Sequence, residues 1–60
     1  MKIYLQGGPF DGETYIIGDH ERQFRIDGSV YNHTTGLREG SSVFVYDEKA
    51  SRAYRARRTE

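Results

Sequence analysis

The chain has 60 residues, no cysteine, 13% aromatic residues and a formal net charge of zero. Its length predicts one small domain, the lack of cysteine excludes disulfides and thiolate metal sites, and the aromatic content with zero net charge argues against intrinsic disorder. No apolar run approaches the roughly 18 residues of a membrane-spanning helix, and we therefore expect a soluble cytoplasmic protein.

The charges are unevenly distributed along the chain. Residues 1–48 contain four basic and eight acidic side chains, whereas residues 49–60 contain five basic side chains and one acidic side chain. Such asymmetry is typical of an interaction tail. It also allows the basic tail to fold back on an acidic body.

Three strands are predicted in the first half of the chain. Lys2–Gln6 alternates between apolar and more polar side chains, as a half-buried strand does. Residues 13–17 are rich in β-branched and aromatic side chains. Residues 22–26 alternate again, after a turn.

The strongest local signal is Asp27-Gly28, which lies between two alternating runs. Both central residues of a type I′ turn need positive φ, and an Asp-Gly pair meets that need. The turn sets three cross-strand pairs: Ile26 with Ser29, Arg25 with Val30, and Phe24 with Tyr31. Phe24, Ile26 and Tyr31 then share one face, where the aromatic pair contributes roughly 0.2–1 kcal/mol.

The second half contains one further clear strand. Residues 34–42 are mostly polar with two glycines and predict a loop, residues 43–46 are strongly β-prone, and residues 47–51 predict a turn. The tail at residues 52–58 allows two interpretations. Its short spacing after the preceding strand favours a returning strand, whereas its alanines and arginines favour a helix capped by Asp47.

The two interpretations of the tail group different residues. In a strand, one side carries Arg52, Tyr54 and Ala56. In a helix, one side carries Ala50, Ala53, Tyr54 and Arg57. We expect the strand.

Together these segments predict an all-β domain over residues 1–60. It is a meander of about five antiparallel strands, folded into a small curled sheet or a partly open barrel, with residues 49–60 as a basic C-terminal strand or tail. Alternation predicts a core of Ile3, Leu5, Ile17, Phe24, Ile26, Tyr31, Val43 and Val45. Because a domain this small has a thin core, we expect a homodimer.

The connection between the first two strands reads Gly7-Gly8-Pro9-Phe10-Asp11-Gly12. Proline fixes φ at about −65° and glycine supplies positive φ, which predicts a stiff turn-rich loop. The alternative is an anion nest of successive amides. The glycine spacing matches neither the P-loop nor the dinucleotide fingerprint, and the acidic Asp11 and Glu13 disfavour phosphate.

A short apolar strand followed by this GGPFDG segment resembles the opening of small proteins of actinobacteria and their phages that contain a GGPxDG motif. Tyr31 and the Val-Phe-Val-Tyr run at 43–46 are similar in type and order to later features of those proteins. The similarity is specific over residues 1–17, and residues 49–60 look like an addition. The resemblance implies a small accessory protein of phage origin, acting in the host cytoplasm, and it carries over no catalytic residues.

The sequence offers few residues for chemistry. His20 and His33, with Asp19 or Glu21, match no compact metal motif. Thr34 adjoins His33, but neighbours on a strand point to opposite faces and cannot form a nucleophile–base pair. We therefore expect no catalytic residue, no metal site, no cofactor and no enzymatic activity.

The tail interleaves arginines with a tyrosine. Arginine pairs with phosphates and tyrosine stacks on bases, so a nucleic-acid-binding accessory protein is one interpretation. Its candidate residues are Arg52, Tyr54, Arg55, Arg57 and Arg58. The other interpretations are a solvated sheet edge and a contact with an acidic protein surface.

The tyrosines give the leading functional hypothesis. Tyr4, Tyr15 and Tyr46 are predicted to lie on the face outside the core, and tyrosine is enriched at protein interfaces. We therefore expect a non-catalytic protein-binding accessory module, such as a phage-encoded host-interaction factor. These three residues are also the predicted homodimer interface, and the sequence does not identify the partner protein.

Overall fold

The computed structural model describes residues 1–58, and for Arg58 the backbone alone. Five strands are followed by one helix: β1 Lys2–Gln6, β2 Thr14–Ile16, β3 Gln23–Ile26, β4 Ser29–Arg38, β5 Ser41–Tyr46 and α1 Glu48–Arg58. The strands form one sheet that curls into a half-barrel, which confirms the predicted all-β class. Within residues 1–58, no helix is long and apolar enough to cross a membrane.

The strands lie in the order β2-β1-β5-β4-β3. Antiparallel pairing joins β1 to β2, β3 to β4 and β4 to β5, as predicted. The pairing between β1 and β5 is parallel, which differs from an all-antiparallel meander. Because β1 and β5 are far apart in sequence, neither strand carries a local signal for this contact.

The predicted hairpin is confirmed in turn and register. Asp27 and Gly28 have φ values of 47° and 81°. The cross-strand pairs are those expected from the turn, with Phe24 opposite Tyr31 and Arg25 opposite Val30. The alternation of the two runs therefore places Arg25 and Val30 together on the face opposite the aromatic pair.

The predicted loop at residues 34–42 is wrong. Strand β4 continues to Arg38, and β5 begins at Ser41 after a turn in which Glu39 and Gly40 have φ values of 50° and 81°. This acidic-residue–glycine pair repeats the chemistry of Asp27-Gly28. Most side chains in this hairpin are exposed and polar, and the β4–β5 pairing is irregular between His33 and Leu37. The segment therefore lacks the alternation of apolar and polar residues from which a strand is predicted.

The core lies inside the curl of the sheet. Its fully buried cluster consists of Ile3, Leu5, Tyr31 and Phe44, and the predicted core residues Ile17, Phe24 and Ile26 pack against it half-buried. Val43 is buried as predicted, but Val45 is 36% exposed, so its assignment to the core is wrong. The β5 register explains this, because Phe44 lies opposite Leu5 and Val45 lies opposite the exposed Gln6.

The tail is a helix, so the expected strand at residues 52–58 and the expected turn at 47–51 are wrong. Asp47 is the N-cap, and its Oδ1 accepts the Ala50 N–H over 2.9 Å. An ion pair between Glu48 and Arg52, at 2.9 Å, adds the i,i+4 spacing that supports isolated helices. These local terms and the helix propensity of the tail outweigh the spacing argument for a strand.

Candidate functional site

The GGPFDG loop is held by its own chain. The Tyr31 hydroxyl donates to the Gly7 carbonyl over 2.7 Å and accepts the Phe10 N–H over 3.0 Å. Asp11 Oδ1 accepts the Gly7 N–H over 2.7 Å, and the Gly12 N–H donates to Leu5. Because these amides are already bonded within the chain, the loop is not arranged as an anion nest.

The three predicted interface tyrosines do not share one face. Tyr15 lies opposite Ile3, and Tyr46 lies opposite Tyr31, so both pack against the core. Tyr4 lies on the other face of the sheet, with the Arg38 guanidinium 4.7 Å from its ring centroid. The predicted placement outside the core is therefore correct for Tyr4 and wrong for Tyr15 and Tyr46, while the role of the three in protein binding stays a prediction.

The two histidines lie at a cleft of mixed charge. His20 and His33 line it with Met1, Asp19, Glu21 and Arg22. The Met1 amino group pairs with Asp19 over 2.9 Å, and the His33 ring packs edge-on against Phe44. Among residues 1–58 no group of three or more His, Asp or Glu side chains is arranged to hold a metal ion.

Helix α1 is anchored on the outer face of the sheet by polar contacts. The buried Ser51 hydroxyl accepts the Val30 N–H over 2.8 Å and donates to the Asp47 carbonyl over 2.6 Å. Asn32 donates to Asp47 Oδ2 over 2.6 Å. Hydrogen bonds from the Ala50 amide, and then from the Asn32 side chain, hold the pKa of Asp47 below its ordinary value.

A second set of contacts joins α1 to the strands through Arg55. Its guanidinium donates to the Gly28 carbonyl over 3.3 Å, and its Cγ lies 3.0 Å from the position that a Cβ on Gly28 would take. Its hydrogen bond to Tyr46, followed by that of Ser51, lowers the pKa of the Tyr46 phenol. Contacts at Asp47, Ser51 and Arg55 thus hold the first two turns of α1 against the sheet, next to β3.

That surface is a groove, which we call the α1–β3 groove. Its volume is about 200 Å³, and its lining residues are Gln23, Arg25, Val30, Ala50, Ala53, Tyr54 and Arg57. The helix contributes the four residues that the helical interpretation of the tail placed on one side. The small Ala50 and Ala53 leave the space, and the longer side chains of Arg25, Tyr54 and Arg57 border it.

The α1–β3 groove is cationic and partly aromatic. Its lining contains two arginines and no acidic residue. The Arg25 guanidinium lies 5.8 Å from the Tyr54 ring centroid, within the range of a cation–π contact. An anionic group entering the groove would meet two guanidinium groups, which form charge-assisted hydrogen bonds with carboxylates and phosphates alike.

The tail residues predicted to bind nucleic acid are separated by the helix. Tyr54 and Arg57 line the groove, whereas Arg52 is paired with Glu48 and Arg55 is bonded to the turn before β4. The prediction for the Arg58 side chain lies outside the described residues.

Sequence reasoning missed Gln23 and Arg25 as partners of the tail. The hairpin register already placed Arg25 beside Val30 on one face. The missing information was that α1 covers that face, since the tail was expected to extend the sheet. The helical interpretation of the tail, combined with the register of the β3–β4 hairpin, would have predicted that Arg25 lies near Tyr54 and Arg57.

Comparisons of this chain with family models, with curated proteins and with solved structures found no match. The α1–β3 groove is therefore interpreted from its own chemistry. The resemblance to GGPxDG-containing proteins stays a prediction.

Proposed function

We propose that the protein is a non-catalytic protein-binding accessory module that holds an acidic segment of its partner in the α1–β3 groove. The observation that carries the proposal is the meeting of Arg25 from β3 with Tyr54 and Arg57 from α1, in a groove lined by no acid. Arginine and tyrosine are the residue types enriched at the energetic centres of protein interfaces. The resemblance to phage-encoded proteins makes a host protein the expected partner.

The size of the groove supports a macromolecular partner over a small molecule. Pockets that enclose small ligands measure about 300–1,000 Å³, whereas this groove measures about 200 Å³. It is suited to one or two side chains of a larger partner.

The titratable groups support a non-catalytic role. Among the described residues, the groups with shifted pKa values are Tyr15, Tyr31, Tyr46 and Asp47. The side chains of Tyr31, Tyr46 and Asp47 form hydrogen bonds to the GGPFDG loop or to α1. None of the four groups lines the α1–β3 groove. Perturbed pKa values in active sites prepare acids, bases and nucleophiles, but here they accompany structural contacts.

The test is affinity capture from a bacterial lysate with three matched forms of the protein. The wild type is compared with Arg25→Glu/Arg57→Glu, and with the control Lys2→Glu/Arg38→Glu, which changes the same charge outside the groove. We expect the wild type and the control to retain the same protein and the groove variant to lose it. Retention by all three forms, with thermal unfolding showing each to be folded, would contradict the proposal.

Nucleic-acid binding is the second candidate, and the observation that favours it is the position of Tyr54 beside Arg25 in a groove that Arg57 also lines. Two arginines on single-stranded DNA predict a salt slope of about −1.4, whereas the four tail arginines on duplex DNA predict about −3.6. A gel-shift series across salt concentrations measures the slope. Absence of binding at low salt removes this candidate.

A further inference from the structure

The groove lies beside an exposed strand edge. In the sheet order, β3 is one of the two outermost strands, and within residues 1–58 it pairs only with β4. The Arg22 carbonyl accepts the His33 N–H over 2.9 Å, so that pair is a hydrogen-bonded one. Since hydrogen-bonded pairs alternate along an antiparallel ladder, the backbone groups of Gln23 and Arg25 point away from β4, toward the open edge.

The side chains of β3 present different chemistry on the two faces of this edge. Gln23 and Arg25 line the α1–β3 groove. Phe24 and Ile26 lie on the core side, where both are half-buried, and the Phe24 ring packs 5.0 Å from that of Tyr15 on β2. A strand added here would therefore place alternate side chains over guanidinium groups and over apolar surface.

From this geometry we propose that the edge of β3 accepts an extended segment of the partner, in which acidic residues alternate with apolar residues. The inference rests on the proposed function and specifies how the partner is held. The backbone of the segment pairs with Gln23 and Arg25, its acidic side chains meet Arg25 and Arg57, and its apolar side chains cover Phe24 and Ile26. Main-chain pairing supplies affinity and the alternating side chains supply specificity.

Charge selects this occupant over a second copy of the chain. Two β3 edges paired about a two-fold axis would bring the Arg25 side chains of both copies onto one face, next to Arg57. Like charges directly opposite each other destabilise a strand pair. The carboxylates of an acidic segment at the same position would instead be attracted to Arg25 and Arg57.

The test measures backbone amide exchange by NMR with synthetic peptides as probes. One peptide alternates glutamate with valine, and a second has the same composition with the order shuffled into blocks. We expect the alternating peptide to slow exchange of the Gln23 and Arg25 amides by roughly tenfold or more, because those amides become hydrogen-bonded. The shuffled peptide is expected to leave both amides unprotected.

Two variants separate pairing from charge. Gln23→Pro removes an outward N–H without removing a bond to β4, and edge strands tolerate proline at such positions. Arg25→Glu keeps the backbone and reverses the charge. We expect each variant to bind the alternating peptide at least about tenfold more weakly than the wild type, a change of roughly 1.4 kcal/mol. The Arg25→Glu comparison stands by itself if Gln23→Pro does not fold.

The outcomes distinguish this inference from the proposed function. If both peptides bind equally and the Gln23 and Arg25 amides stay unprotected, strand addition is overturned while recognition of an acidic partner stands. If neither acidic peptide binds at low salt, both fail. Protection of the two amides in a self-associated protein without peptide would assign the edge to a second copy and overturn the inference.

Discussion

The buried hydroxyl of Tyr31 on β4 donates a hydrogen bond to the carbonyl of Gly7 in the loop after β1, over 2.7 Å. The same oxygen accepts the Phe10 N–H. Burial raises the pKa of Tyr31, which keeps the hydroxyl protonated and able to donate. One side chain thus bonds both sides of the GGPFDG loop, at Gly7 and at Phe10.

Tyr31→Phe tests this bridge. We expect the free energy of unfolding to fall by about 1–2 kcal/mol, because a donor and an acceptor in the loop lose their partner while the ring is kept. Equilibrium urea denaturation measures the change. Tyr4→Phe is the matched control, since the Tyr4 ring contacts Arg38 on the outer face and keeps that contact. Equal effects of the two changes would contradict the structural role of the bridge.

Gly8 is the tightest position in the loop. Its φ is +68°, and a Cβ there would stand 2.5 Å from Tyr46 Cδ1 and 2.8 Å from the Tyr31 hydroxyl oxygen. Gly8→Ala therefore combines backbone strain with overpacking, and we expect a loss of about 2–5 kcal/mol.

Gly12→Ala is the control for that substitution. Gly12 also has positive φ, at +89°, but a Cβ there meets nothing within 4 Å. Its cost is expected to be about 1–2 kcal/mol, from backbone strain alone. The difference between the two variants in thermal or urea unfolding isolates the clash, and a smaller loss for Gly8→Ala than for Gly12→Ala would show that the loop is not clamped as described.

The elements that the sequence predicted well are those decided locally. The Asp27-Gly28 pair favours positive φ whatever its surroundings, and the resulting turn sets the register of β3 and β4. The parallel β1–β5 pair depends on contacts between distant segments. For the tail, propensity favoured a helix and chain spacing favoured a strand, and the strand that we expected was wrong. The polar contacts of Asn32 with Asp47, and of Val30 with Ser51, add a tertiary contribution that neither argument included.

The sequence predicted the helix residues of the candidate site but not its strand residues. Tyr54 and Arg57 were identified from the spacing of arginine and tyrosine in the tail. Arg25 was not, because a strand residue joins a helix residue only when the face that they share is known. Alternation correctly placed Tyr4 outside the core. The prediction was wrong for Tyr15 and Tyr46, because the register of their strands puts both on the core face of the sheet.

Ser51→Ala tests the docking of α1. The substitution leaves the Val30 N–H buried without its acceptor, and we expect a loss of about 1–3 kcal/mol in unfolding free energy. Ser42→Ala is the control, because the half-buried Ser42 hydroxyl has only a weak contact, 3.9 Å from the Met1 sulfur. If Ser51→Ala costs no more than Ser42→Ala, the buried hydroxyl does not hold the helix.

The pH dependence of stability is expected to report on Asp47. Hydrogen bonds from the Ala50 amide and the Asn32 side chain lower its folded-state pKa. Its contribution is therefore present above the unfolded value of about 3.9 and is lost as the pH falls through the lower folded value. Asp47→Asn keeps a good capping side chain without the titration, so its stability should fall less steeply than that of the wild type below about pH 4.

Denaturant unfolding across the acid range measures both curves. Asn32→Ala provides an independent check, since removing that donor should move the Asp47 pKa back toward its ordinary value in an NMR titration. Parallel acid limbs for the wild type and Asp47→Asn would contradict the assignment.

Self-association is expected at the edge opposite to β3. Strand β2 is the other outermost strand, and its Ile16 is 84% exposed. Pairing of two β2 edges about a two-fold axis would cover this side chain and give the backbone of the edge hydrogen-bond partners, so we expect the average molecular mass to rise with concentration in sedimentation equilibrium.

Ile16→Lys should abolish the rise in mass, because a charge on an edge strand blocks edge pairing. Leu37→Lys, at a residue that is 75% exposed in the β4–β5 hairpin, should not. The melting temperature of the wild type should also rise with protein concentration by mass action. A constant monomer mass over roughly a hundredfold range of concentration would overturn the dimer, and an equal effect of Leu37→Lys would move the interface away from β2.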